Sequence, residues 1–219
     1  MKPMDADKIF SFIKMMQGVK EVERFTGQFF WKEYPRKKEY ESVADHTWRM
    51  AMILVIIEPY LSKPIDFART MKMALIHDIP EIIAGDASPL GSDGTGNDSH
   101  LYNEKAAEEK YKKEDAAAKE IFSKLSKDQG QELYDLWLEH EKQETFEAKI
   151  VKALDKLEGK LQAAEYTKDG IFEKHLEFSL KYGEGFFDID PVFKKLNAMV
   201  RDEFTKDYKE FKLDTKGLI

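Results

Sequence analysis

The chain contains no cysteine. Disulfides, thiolate zinc sites, iron–sulfur clusters and cysteine nucleophiles are therefore excluded, and a cytoplasmic location is expected. Proline and glycine are sparse, 7 and 12 among 219 residues. No stretch sustains a period-two alternation of apolar and polar side chains, so strands have little support. Long apolar runs are missing too. The longest, Met50 to Ile57, sits between Arg49 and Glu58 and falls far short of the ~20 residues of a membrane span. Met1–Asp5 opens no signal-peptide hydrophobic region. Positive charge is in deficit: Lys+Arg 35 against Asp+Glu 42 leaves a net charge of −7. That balance argues against a surface built to coat nucleic acid, while a pocket can still be locally positive. No P-loop, dinucleotide-binding glycine fingerprint or nucleophile elbow is present.

What is present is helical patterning with a large apolar share, 42% hydrophobic and 12% aromatic, enough for a sizeable core. The length suits one domain. A first helix is expected over 5–19, with Ile9, Phe12, Ile13 and Met16 on one stripe. Residues 20–41 read as irregular, with a charged tip at Arg36-Lys37-Lys38-Glu39. Ser42, with Asp45 three residues on, reads as a capping box opening a helix that Pro59 stops. Its stripe is Val43, Met50, Ile53, Leu54 and Ile57, and His46 falls on it. A third helix is expected over 65–77, burying Phe67, Met71 and Ala74 and bringing His77 and Asp78 to the same side. Pro80 ends it, and a short turn runs on to Gly85. A loop over 91–98 precedes helices over 101–125, 130–146, 147–166 and 191–211. Trp31, Trp48 and Trp137 read as packing residues.

The chemistry lies in polar residues placed where helices want apolar ones. His46 is on a core stripe, His77-Asp78 ends the apolar run Met73–Ile76, and Asp155 lies beside Ile150, Val151, Leu154, Leu157 and Leu161. Each has a plain alternative. His46 can be a hydrogen-bonded core histidine, and Asp155 can pair with Lys152 or Lys156 at the surface. Buried carboxylates are costly unless paired or metal-bound, and three such placements in three helices invite one explanation, a shared metal. Two imidazoles and two carboxylates suit a divalent ion of borderline hardness such as Mn, Fe, Co, Ni or Zn, with Mg also open.

The order His46, His77-Asp78, Asp155 resembles the signature of the HD-domain metal-dependent phosphohydrolases, and more closely the branch containing the 5′-deoxynucleotidases. The resemblance spans about 8–170 and rests on Glu41–His46, His77–Asp86 and Val151–Glu158. His77-Asp-Ile-Pro-Glu81-Ile-Ile-Ala-Gly-Asp86 is its most diagnostic piece. It implies an all-α, single HD-type helical domain over 1–219, with a core at about 8–170 and a helical extension at about 171–219. It implies hydrolysis of (deoxy)nucleoside 5′-monophosphates, one divalent metal on His46, His77, Asp78 and Asp155, and a homodimer. In that light Glu81 handles proton transfer, with Asp78 beside it at the catalytic centre. Asp86 sits near the sugar and Arg24 contacts the phosphate.

The branch carries a tryptophan after that arginine that helps to reject a 2′-hydroxyl. Phe25 stands there instead, so the sugar preference is open. Read from the residues alone, Glu81 can be a solvated helix-start carboxylate, Arg24 can pair with Glu21, and Asp86 can be a turn residue. His140, in a polar patch, reads as solvated or as a support behind the metal ligands. His100 and His140 lie where two-metal members carry extra histidines, but without paired spacing. Phe186, Phe187, Val192, Phe193 and Leu196 are interface or core. The alternatives in function are another small phosphate ester or nucleotide polyphosphate as substrate, or a non-catalytic nucleotide-sensing module.

Overall fold

The computed structural model of the chain describes residues 5–25, 40–91, 96–168, 170–171 and 173–212. Trp31, the 36–39 tip and part of the 91–98 loop lie outside them. Among the described residues the chain is helical, with isolated bridges at Glu23–Ser42 and Ile171–Lys212 and no strand. The helices are α1 (Ala6–Met15), α2 (Val43–Ile57), α3 (Phe67–Ile76), the single turn α4 (Glu81–Ala84) and α5 (Glu104–Phe122). They continue with α6 (Lys127–Lys142), α7 (Phe146–Thr167), α8 (Glu173–Lys181) and α9 (Pro191–Phe211).

Local chemistry sets these boundaries. The capping box forms as expected: Asp45 N–H donates to Ser42 Oγ at 3.2 Å, and Ser42 N–H donates to the Asp45 carboxylate at 3.0 Å. Beyond α2, Pro59 permits only one 3-10 turn, Glu58–Tyr60. Asn103, Ser126 and Thr145 cap α5, α6 and α7 with side-chain oxygens. Gly85, at φ +75°, terminates α4 in a conformation that L side chains rarely adopt.

α7 is the central helix. α2, α3, α6, α9 and the 3-10 segment Glu184–Ile189 all pack on it. It is buried on more than one face, by Ile150, Val151, Leu154 and Leu157 and by the small residues Ala148, Ala153, Ala163 and Ala164. One core cluster runs from Phe25 to Phe204 and takes in Phe187, Phe193 and Val200 of the C-terminal segment. That segment is also anchored by Lys160 of α7, whose buried ammonium reaches Glu184 at 2.5 Å and Asn197 at 2.9 Å. Residues 22–24 pair with 41–43, so that Arg24 lies beside the start of α2 (Arg24 N–H to Glu41 O, 2.8 Å). Gly18 lets the preceding 3-10 turn lie on α4, since a Cβ there would stand 2.7 Å from Ile82.

Three sequence expectations change. The buried stripe of α3 is Thr70, Met73, Ala74 and Ile76, whereas Phe67 is 38% exposed. Thr70 fits inside because its hydroxyl donates to the Asp66 carbonyl at 2.7 Å, which an apolar count does not see. Ile13 of α1 is exposed, because that edge helix packs through Phe12 and Met15. Trp48 is 66% exposed, since α2 buries Val43, His46, Met50, Leu54 and Ile57. Trp137 is buried between Tyr111 and Tyr134, as expected. Of the late apolar residues, Phe187 and Phe193 are core, and Val192 and Leu196 pack partly buried against it.

Ser42→Ala removes one half of the capping box. It is expected to lower unfolding stability by about 1 kcal/mol, read from the urea midpoint, with the helical circular dichroism of the folded state unchanged.

Candidate metal centre

Three elements converge. α2 delivers His46 from its second turn. α3 ends at His77, and the turn enforced by Pro80 aims Asp78 back toward α2 and starts α4 at Glu81. α7 supplies Asp155. His46 Nε2 lies 3.7 Å from both Asp78 Oδ2 and Asp155 Oδ1, and His77 Nε2 lies 3.2 Å from Asp78 Oδ2. Donor atoms of His46, His77 and Asp155 all fall within 4.8 Å of one another.

Both imidazoles are held through their other nitrogen. His77 Nδ1 is 2.9 Å from the Ala74 carbonyl, which can only accept, so Nδ1 carries the hydrogen. His46 Nδ1 makes a hydrogen bond with Glu158, itself ion-paired to Arg49 and held as a carboxylate. Each ring thus turns its Nε2 inward, and both Nε2 atoms are buried without a hydrogen-bond partner. Burial alone would lower His77, but Asp78 beside it more than offsets this and raises it. A buried polar atom left without a partner costs free energy. A divalent cation satisfies both at once, and two imidazoles with two carboxylates are a suitable donor set. The residues fit a metal of the kind the sequence implied.

The carboxylates beside them are held ionised. Burial alone would raise Asp155, but Lys156 at 3.0 Å and Lys152 at 3.4 Å outweigh it and hold the group well below the usual range. The expected pairing with these lysines is real, yet it occurs inside the site. Asp78 is likewise lowered: its burial is outweighed by His77, His46 and Arg24. Glu81 behaves in the opposite way. It is buried, its Oε2 has no partner, and burial followed by Asp78 and Asp86 pushes its carboxyl well above the usual value. The solvated alternative for Glu81 is thereby excluded.

Arg24 does not pair with Glu21. Its guanidinium reaches Glu41 at 3.1 Å and Asp78 at 3.2 Å. Burial opposes its charge, and Asp86, Asp78 and Glu41 more than restore it. These groups border a cavity of about 340 Å³ whose wall includes Arg24, Phe25, Glu81, Asp86, Lys152 and Lys156. That volume lies in the ~300–1,000 Å³ range of small-ligand sites. Phe25 is buried there at φ +66°, with its ring edge-on to Tyr166 at 5.4 Å. His100 also borders the cavity. Burial and the neighbouring Lys110, Lys156 and Lys152 lower it to about 4, so it is neutral.

His140 is not solvated. It is buried, with its ring 5.3 Å from that of His77. Among the described residues, neither it nor His100 joins a group of three close donors. Sequence reasoning passed over Glu158 and Arg49. Their signal was spacing: each lies three residues after a proposed ligand, Asp155 and His46, and so on the same helix face.

The model of a family described as "HD domain" matches residues 19–212. The chain is 38% identical over 162 residues to proteins named 5′-deoxynucleotidase HDDC2 from Bos taurus and Homo sapiens, covering 74% of this chain and 69% of each relative. A crystal structure titled as a predicted metal-dependent phosphohydrolase from Magnetospirillum magnetotacticum superposes with a TM-score of 0.65 at 24% identity. It covers 93% of this chain and 95% of that one, and supports the fold.

Glu41 gives a pH test. Its carboxyl is pushed up to about 9, by burial and then by Glu158. The folded chain therefore keeps a proton that the unfolded chain releases above about pH 4.3, so stability falls as pH rises toward that folded value. Glu41→Gln mimics the protonated form. The stability difference between variant and parent, from urea unfolding of metal-free protein, is expected to shift in favour of the variant between about pH 5 and about pH 8.

Proposed function

The chain belongs to the HD-domain family, and from that premise we propose that it is a divalent-metal-dependent phosphohydrolase. In this reading it cleaves (deoxy)nucleoside 5′-monophosphates to nucleoside and inorganic phosphate. The observation that carries the reading is the pair of orphaned, inward-facing Nε2 atoms of His46 and His77 beside Asp78 and Asp155, next to a cavity walled by Arg24 and Glu81. The names of the relatives, 5′-deoxynucleotidase, support the substrate class.

His46, His77, Asp78 and Asp155 would hold the ion. Such an ion supplies positive charge for the phosphate and makes a water molecule acidic enough to attack near neutral pH. Arg24, already desolvated and aimed by Glu41 and Asp78, offers N–H groups to phosphate oxygens. Lys152 and Lys156 add charge on the Asp155 side of the same cavity. As the P–O5′ bond breaks, the leaving alkoxide needs a proton. Glu81, whose carboxyl burial and the neighbouring Asp78 and Asp86 raise well above its usual value, would donate it to O5′. Phe25 and Asp86 lie on the wall where the sugar would sit, and the positive φ of Phe25 turns its backbone so that the ring forms part of that wall. Among the described residues no helix is long and apolar enough to cross a membrane. The proposal includes a cytoplasmic homodimer built around one such domain.

Chelator-stripped protein, reloaded with Mn, Co, Mg or Zn, is expected to release phosphate from deoxynucleoside 5′-monophosphates. Ribonucleotides in the same panel read the sugar preference set by Phe25. Metal-loaded protein that releases phosphate from no ester refutes the hydrolase reading and leaves a nucleotide-sensing role.

Two variants separate the residue roles. Asp78→Asn is expected to lose both metal content and turnover. Glu81→Gln is expected to keep the metal and lose about 10²–10⁴-fold in rate; loss of metal instead would make Glu81 a ligand.

A further inference from the structure

Behind the centre lies a buried polar chain to which the hydrolytic steps assign no task. Glu158 of α7 is fully buried, as is the His46 ring it meets. Its Oε2 takes the hydrogen bond from His46 Nδ1, and its Oε1 accepts from Arg49 Nε at 2.7 Å. Arg49 is fixed in turn by Glu165 at 2.7 Å and Gln162 at 2.8 Å, both on α7. Arg24 and Arg49 also flank Glu41, at 3.1 and 3.7 Å. Donor atoms of Glu41, His46 and Glu158 form a second close group. That group is no second metal site, because two guanidiniums cover it and His46 presents an N–H to it.

Resting on the metal-centre reading, we propose that Glu158, locked by Arg49, is a positioning residue. It fixes His46 in the Nδ1–H tautomer and sets the ring so that Nε2 faces Asp78 and Asp155. The physical argument is one of alternatives. A buried imidazole with two open nitrogens divides between two tautomers and rotates, and only one of those states offers Nε2 as a lone-pair donor. A carboxylate accepts and never donates, so at Nδ1 it selects that state. His77 achieves the same result with a backbone carbonyl, which no substitution of a side chain removes. The His46 ring takes its Nδ1 partner from Glu158, and Glu158 is held as a carboxylate at zero exposure by His46, Arg24 and Glu41 together with the hydrogen bond from Arg49.

The test uses full-length protein and two readouts that do not require turnover. The first is the ring-nitrogen NMR signature of His46 in metal-free protein. The second is Co(II) affinity by competition with a chelating dye. The parent is expected to show His46 as the Nδ1–H tautomer. Glu158→Ala is expected to shift it toward Nε2–H and to weaken Co(II) binding about 10–100-fold. Glu158→Gln, whose amide oxygen accepts the same N–H, is expected to restore the tautomer and part of the affinity. Arg49→Met, which spares Glu158 itself, is expected to weaken Co(II) binding in the same direction. Arg49→Met decides the matter if Glu158→Ala does not fold.

A parent with His46 in the Nε2–H form overturns the proposal. So does Co(II) affinity within about twofold of the parent in Glu158→Ala, where the expected loss is at least tenfold, or, should that variant not fold, in Arg49→Met. A parent that binds Co(II) with the expected tautomer yet hydrolyses no phosphate ester leaves this proposal standing and fails the hydrolase reading instead.

Discussion

Two buried imidazole Nε2 atoms, turned toward a pair of carboxylates where helices α2, α3 and α7 meet, are the constraint on which the rest of this structure depends. A packed interior tolerates few unsatisfied polar groups, and this one places two of them 3.7 Å or less from a pair of ionised carboxylates. The surroundings are arranged to keep them so. The Ala74 carbonyl and Glu158 occupy the Nδ1 atoms, Lys156 and Lys152 keep Asp155 charged, and His77, His46 and Arg24 keep Asp78 charged. Such a donor set fits a divalent cation.

The same residues divide the cavity electrostatically. Arg24 stands against Asp78 on one side, and Lys152 and Lys156 stand against Asp155 on the other. Glu81 sits among carboxylates in a buried position, which raises its carboxyl well above the usual value. Two flanking sets of positive side chains suit the charge of a phosphate ester, and a raised carboxyl suits proton transfer to a departing alkoxide. Asp78 and Asp155 each serve both halves of this design, since each faces the imidazoles and also anchors a cation on the cavity wall.

The fold supports the site by making α7 its spine. That helix presents Asp155 to the cavity, Glu158 to His46 and Lys160 to the C-terminal segment, one after another along its length. The 3-10 segment 184–189 and α9 are thus tied to the helix that carries the centre, through Glu184 and Asn197. Aromatic residues of that region, Phe178 and Tyr182, line the same cavity.

Much of this was legible in the residues. Caps, prolines and Gly85 act on their immediate neighbours, so the capping box at Ser42, the stop at Pro59 and the start of α9 at Pro191 could be read locally. His46, His77, Asp78 and Asp155 stood out because a polar group on an apolar stripe violates a rule of spacing. What the stripe could not show is which face meets a neighbour. Thr70 went inside and Phe67 stayed out because α3 is wedged against α2, α6 and α7 and a backbone carbonyl was at hand for the hydroxyl. His140, readable among Glu139 and Glu141 either as solvated or as a support behind the metal ligands, is buried against His77. The sequence by itself determined the helical class, most of the helix limits and the polar anomalies, since these depend on contacts within a few residues. The partners of those anomalies were decided by tertiary structure alone. Glu158 finds His46 across 112 positions and Arg24 finds Asp78 across 54, and only the packing of helices on α7 brings charges that far apart in the chain within hydrogen-bonding distance.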